Sequence, residues 1–213
     1  MKFKKEISLI AALALSLAVQ GVISAFEIKK NIENDVLRLH IPANSDSIED
    51  QNVKIKVRDE IIEKAKNERW FANCTDSKNA AEKAEKYIDE IEKTADSVLI
   101  ENGFDYVSKA EVTKMHFDER KYENYTFPTG EYTALRITLG KGEGHNWWCV
   151  MYPNMCLPCA EKVETDEEKA DAFFNEKEKD VLKNPEKYRF KFKICELLEK
   201  INKIKSKTDV NKM

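Results

Sequence analysis

The sequence predicts an α+β fold: two N-terminal helices packed on a small, mostly antiparallel sheet, with a C-terminal helical segment. Three observations predict it. Apolar residues between positions 47 and 102 recur at spacings of three and four, the period of a helix face. Those between 104 and 152 recur at spacing two, the period of a half-buried strand. From 161 onward the chain is charge-dominated and returns to a helical composition. The helices are grouped, not alternated with strands, which separates this pattern from a parallel α/β fold.

The chain opens with a targeting pattern. MKFKKE carries three lysines, and ISLIAALALSLAVQGVISAF follows without a charge until Glu27. A basic start, an apolar middle and small residues at Ser24 and Ala25 describe a bacterial export signal. The apolar run is also about as long as a bilayer-spanning helix, so it is read as either a cleaved signal or a retained anchor. On this reading residues 1–26 are the signal or anchor, 27–160 the core domain, and 161–213 a charged, largely helical extension packing back on the core.

The first element of the core is a strand, with Leu37, Leu39 and Ile41 on one face and Arg38 and His40 on the other. Pro42-Ala43-Asn44-Ser45-Asp46 breaks it. Ser47 then caps a helix whose third position is Asp50, where a carboxylate is favoured. Val53, Val57, Ile61 and Ala65 carry its apolar stripe to about Asn67. After an aromatic connection, Trp70-Phe71, one long helix is expected from about Ser77 to Asn102, with Asn102-Gly103 as its C-cap. A strand from Tyr106 to Phe117 follows, then a polar, aromatic turn region (DERKYENYTFPTGEY). Thr133–Leu139 alternates best of all, and Trp147–Tyr152 is read as the strand returning beside it. Asn184-Pro185 interrupts the charged stretch, Arg189–Lys193 reads as a short strand, and Glu196–Lys205 reads as helix.

Lys plus Arg number 36 against 39 Asp plus Glu, a net charge of -3, which suggests neither a nucleic-acid binder nor an acidic-tail protein. GKGEGHNWWC, residues 140–149, has neither the dinucleotide spacing nor the Lys-Ser/Thr of a phosphate loop, and no helix opens after it. No cofactor is expected there. The glycines fit a turn between two antiparallel strands. On a strand, Trp147 and Trp148 face opposite ways, so one of them is available to a contact surface.

Five cysteines, at 74, 149, 156, 159 and 195, leave at least one unpaired within the chain. Cys149 and Cys156 are a candidate disulfide; free thiols and metal or redox chemistry at Cys156-x-x-Cys159, with His145 nearby, are the alternatives. No metal site is expected from a single C-x-x-C. The histidines at 40, 116 and 145 lie on strands or their edges, and Ser45 with Asp46 permits a triad only on paper. His40 is read as an outward polar residue, Arg58-Asp59 as a local ion pair or a recognition pair, and no residue as catalytic.

Two blocks together resemble the stage II sporulation protein R family. The first is Leu37-Arg38-Leu39-His40-Ile41, Ala43-Asn44-Ser45-Asp46-Ser47, Asp50-Gln51 and Lys54-Ile55-Lys56-Val57-Arg58-Asp59. The second is Phe127-Pro128-Thr129-Gly130-Glu131-Tyr132, Leu135-Arg136-Ile137-Thr138-Leu139-Gly140 and Asn146-Trp147-Trp148-Cys149-Val150, with Pro153 and Cys156 after it. This sequence departs from the family pattern at Pro42, at Asn154-Met155 and in its additional Cys159.

The resemblance implies a protein exported from the forespore to the intermembrane space, secreted or held by its N-terminal segment. There it implies a signal that activates a membrane-embedded aspartic protease, which processes a mother-cell sigma-factor precursor. It supplies no catalytic residues, so His40, Asn44, Asp46, Arg58, Asp59, Asn146, Trp147 and Trp148 are taken as partner-binding candidates. Two other classes stay open: an exported hydrolase or peptidase with His40 or His145 as base, and an envelope adaptor of unrelated role.

Overall fold

The computed structural model describes residues 2–122, 124–153 and 173–210. The chain forms two compact units, one of residues 33–118 with 129–175, the other of residues 1–32, 119–128 and 176–213.

The first unit holds the α+β core. Strand β1 (Leu37–Pro42) follows the N-terminal helix α1 (Lys2–Asp35) after a single residue. Helices α2 (Ile48–Asn67), α3 (Ser77–Lys86) and α4 (Ile88–Glu101) come next, then β2 (Ser108–Phe117). The hairpin strands β3 (Arg120–Tyr122) and β4 (Tyr125–Phe127) belong to the other unit. The core resumes with β5 (Gly130–Leu139) and β6 (Asn146–Tyr152). The sheet order is β2-β5-β1-β6, with β1 parallel to β5 and the other two pairings antiparallel. That is the α+β, mostly antiparallel architecture expected.

The alternation of β1 reads differently in three dimensions. Leu37, Leu39 and Ile41 are buried, but so are Arg38 and His40, at 0% and 4% exposure. The half-buried strand with an outward histidine is therefore corrected: β1 is the third of four strands and covered on both faces. Arg38 is accommodated by charge and aromatic contact. Its Nε donates to the Cys149 carbonyl at 3.3 Å, and its guanidinium lies 4.5 Å from the Phe117 ring and 5.0 Å from that of Tyr132.

Helix α2 forms where expected. Ser47 accepts from the Asp50 N–H at 3.1 Å, and Val53, Val57 and Ile61 are buried. The single long helix over 77–102 is instead two, divided at Tyr87 (φ −99°, ψ 6°). The Tyr87 ring stacks on that of Trp70 at 4.8 Å, and Trp70 is 1% exposed. The break turns a tyrosine onto the aromatic connection after α2. Helix α4 also protects the sheet edge. Asp96 accepts from the Ser108 N–H at 2.6 Å and Glu92 from the Ala110 N–H at 2.7 Å, occupying donors that an unpaired β2 edge would present to another chain.

The β5–β6 hairpin is the largest topological correction. The two strands do not pair; β1 lies between them, so the segment 140–145 crosses the end of β1.

In the second unit, α5 (Glu176–Lys183), a 3-10 turn (Pro185–Lys187) and α6 (Arg189–Val210) follow the expected interruption at Asn184-Pro185. The short strand expected over Arg189–Lys193 is helix: it forms the first turn of α6. Phe190, Phe192 and Ile194 alternate by chance within a sequence whose longer spacing is helical.

The expected Cys149–Cys156 pairing falls partly outside the described residues: Cys74 and Cys195 are free thiols and Cys149 is disulfide-bonded, whereas Cys156 and Cys159 lie outside the described residues.

Candidate interaction site

The loop after β1 is organised around one carboxylate. Asp50, in the first turn of α2 and 4% exposed, accepts from Asn44 Nδ2 at 3.0 Å, Ser45 Oγ at 2.5 Å and Tyr106 Oη at 2.5 Å. Burial raises its carboxyl pKa, but hydrogen bonds from Ser45, Tyr106, Asn44 and Ser47 outweigh that and hold it below the ordinary value. Burial, then the bond to Asp50, pushes the Tyr106 hydroxyl well up. Ser45 is thereby committed to structure: its hydroxyl serves Asp50 and accepts from the Ser47 N–H at 3.1 Å.

The glycine segment closes over this loop. Gly140 and Gly142 take positive φ, 54° and 67°, and so turn the chain back toward residues 43–46. The Lys141 N–H donates to Asn44 Oδ1 at 3.0 Å, Glu143 N–H to the Asn44 carbonyl at 3.3 Å, and Gly144 N–H to the Ala43 carbonyl at 2.9 Å. Gly144 is required by close approach: a methyl group there would overlap the Ser45 carbonyl. His145 donates its N–H to Asp46 Oδ1 at 2.6 Å and sets its ring Nδ1 2.6 Å from the same oxygen. Both bonds, the ring's first, hold the Asp46 carboxyl below its usual range. Lys54 Nζ reaches across from α2 to the His145 carbonyl at 2.9 Å, and burial lowers its own pKa. Two stretches about 100 residues apart thus share one hydrogen-bond network.

The tryptophans diverge as strand geometry demands. Trp148 lies on the Arg38–His40 face, where it stacks on His40 at 3.9 Å and 11° and meets Phe117 edge-on at 4.8 Å. Burial lowers the His40 pKa to about 4, against a side-chain interaction with Asn146 that raises it, and the Arg136 charge lowers it further. Trp147 lies on the other face, under the Arg58 guanidinium at 4.1 Å. Asp59 fixes that guanidinium through Nε at 2.7 Å and Nη2 at 2.5 Å. Both indoles are half-buried, and Asp46, His145 and Asn146 are exposed.

The structure therefore groups the sequence candidates in three. Asp46 meets His145 and Asn44 meets Lys141 at the rim, Arg58 and Asp59 join Trp147, and His40 joins Trp148 and Asn146 on the opposite face. Asp50, Lys54 and Tyr106 hold the rim together and were absent from the candidates. Ser47 capping onto Asp50 is the signal for the first, and nothing in the sequence marks the second. Nothing in the sequence marks Tyr106. Among the described residues no group of three or more His, Cys, Asp or Glu is placed to hold a metal ion.

The sequence profile of stage II sporulation protein R matches residues 33–162, more than half of the chain and all of this network. The chain belongs to the stage II sporulation protein R family. A curated relative, stage II sporulation protein R of Bacillus subtilis (strain 168), is 34% identical over 126 residues, which cover 59% of this chain and 55% of that protein. The chain spans about half the length of that relative. No solved structure matches it.

Proposed function

We propose that this chain is the exported signal that activates a membrane-embedded aspartic protease, and so triggers processing of a mother-cell sigma-factor precursor during sporulation. The observation that carries the reading is family membership over residues 33–162, the segment that contains both interlocked loops. On this reading the chain acts in the intermembrane space after export from the forespore. Its N-terminal helix, which carries an 18-residue segment of mean hydropathy 2.2 between Glu6 and Asp35, serves as signal or membrane attachment.

The rim of Asp46 and His145 with the Trp147–Arg58–Asp59 stack is the surface offered to the protease. It combines a half-buried indole, a guanidinium held in a fixed plane and exposed polar groups on a rigid frame, the composition of a contact that recognises another protein. Trp148 with His40 forms a second patch on the opposite face of the sheet.

The test is co-expression with the cognate protease and sigma-factor precursor, scoring precursor cleavage. Trp147→Ala and Asp46→Ala are expected to reduce cleavage by at least about tenfold, as for a contact hot spot, with circular dichroism unchanged. Full cleavage with both variants would overturn the assignment of this rim. Absence of cleavage with the unaltered chain would overturn the activator reading itself.

A further inference from the structure

Helix α6 lies outside the segment matched by the family and carries a feature that the proposed activation does not use. Phe190, Ile194 and Leu197 follow one another at spacings of four and three, and Ile201 and Ile204 continue the series in the sequence. This is one face of a helix. Phe190 is 76% exposed and Leu197 60%, whereas Phe192 and Cys195, on the other side of α6, are buried. Lys193 and Lys200 flank the apolar face and are exposed.

The position of this face relative to α1 gives it a meaning. Lys191 Nζ lies 3.7 Å from where a Cβ on Gly21 would stand, and Glu199 pairs with Lys29 at 3.6 Å and Lys30 at 3.4 Å. The two helices therefore run side by side in the same direction, with the start of α6 level with Gly21. Residues 6–20 of α1 are exposed throughout, which amounts to about 22 Å of helix at ~1.5 Å per residue. A hydrocarbon layer is about 30 Å thick. The shortfall, roughly 8 Å, is the stretch from Gly21 to Phe26 that completes the apolar run, and it lies beside the first two turns of α6.

We propose that the first three turns of α6 dip into the outer boundary of an anionic phospholipid bilayer next to α1. Phe190 and Leu197 enter the acyl region, and Lys193 and Lys200 meet headgroup phosphates. Charge argues against a second copy as the occupant. Two such faces packed together would set the lysine flanks of one against those of the other.

The full chain is reconstituted into phosphatidylcholine/phosphatidylglycerol vesicles containing a trace of a diazirine-bearing phosphatidylcholine. After irradiation, lipid adducts are mapped on peptides. Adducts are expected on residues 6–20 and, separately, on the peptide that begins at Arg189. Phe190→Ser with Leu197→Ser is expected to lower the second yield about tenfold while the first is unchanged. Lys193→Glu with Lys200→Glu, which leaves the apolar face intact, is expected to reduce it to the level found in pure phosphatidylcholine. Adducts confined to residues 6–20 would overturn the proposal, as would chemical cross-links joining α6 of two copies without lipid adducts. Equal α6 labelling with and without phosphatidylglycerol would remove the headgroup part of it.

Discussion

His40 couples the β1–β6 pairing to pH in a window of its own. The ring is 4% exposed, stacked on Trp148, and burial brings its pKa from 6.5 to about 4. A histidine with a lowered folded pKa is bound by more protons in the unfolded chain, so the stability it permits is complete above the unfolded value. That stability is lost as pH falls from 6.5 toward 4. Between pH 7 and pH 5 the two pKa values give a loss of about 2 kcal/mol. The depressed carboxyls of Asp46 and Asp50 titrate below this window and do not contribute to it. His40→Phe keeps an aromatic ring against Trp148 and removes the titration. Urea unfolding of the full chain in non-denaturing micelles, followed by tryptophan fluorescence at several pH values, measures both curves. The stability difference between wild type and H40F is expected to move by about 2 kcal/mol between pH 7 and 5, in favour of the variant at the lower pH. Parallel curves would show that the ring protonates in place without cost, and the burial argument would fail.

Three further outcomes follow from the rim. Asp50→Asn removes a charged acceptor shared by Asn44, Ser45 and Tyr106, and is expected to cost about 2–3 kcal/mol at pH 7 in urea titration. Because that carboxyl's pKa is lowered, the difference should shrink only below about pH 4, as the wild-type group takes up its proton. Gly144→Ala forces a methyl into the Ser45 carbonyl and is expected to cost more than about 2 kcal/mol. Gly103→Ala, at φ 82° with nothing within 4 Å, should cost only about 1 kcal/mol of backbone strain. Thermal melts of the two variants separate steric overlap from strain. Arg58→Lys keeps the charge but loses the planar fork held by Asp59 and the stack on Trp147, and is expected to lower stability by about 1 kcal/mol and shift the indole emission.

How much of this was legible depended on whether the controlling interaction was local. The start of α2 is set by Ser47 and Asp50, and its end near Asn67 by an apolar stripe that stops; both are written within a few residues. The positive φ of Gly103, Gly140 and Gly142 likewise belongs to single positions. Burial of Arg38 and His40 was not legible, because period two tells which residues share a face and not whether that face meets solvent. The insertion of β1 between β5 and β6 was hidden for a related reason. Strands that follow one another usually pair, and only a partner some 100 residues away displaces that default. Tyr87 divides a helix of unbroken local pattern because Trp70 offers its ring a stacking partner. In α6 a two-residue rhythm over five positions masked the longer helical period that a strand reading must break.

The interlocked loops give the two family blocks a common physical reason to occur together. Asn44 spends its amide N–H on Asp50 and its side-chain oxygen on the Lys141 N–H, so the β1 loop and the glycine segment are each shaped by the other. Asp46 repeats the relation with His145, and Lys54 closes it from the helix. Each bond is worth about 1 kcal/mol on its own, too little to order an exposed loop. Together they hold the segment that leads into Trp147 and remove most of its freedom before any partner arrives. A contact surface so held loses little entropy on binding. The glycines of this segment are then not a site in themselves. They are the condition that lets one backbone lie against another closely enough to hold the tryptophans in place.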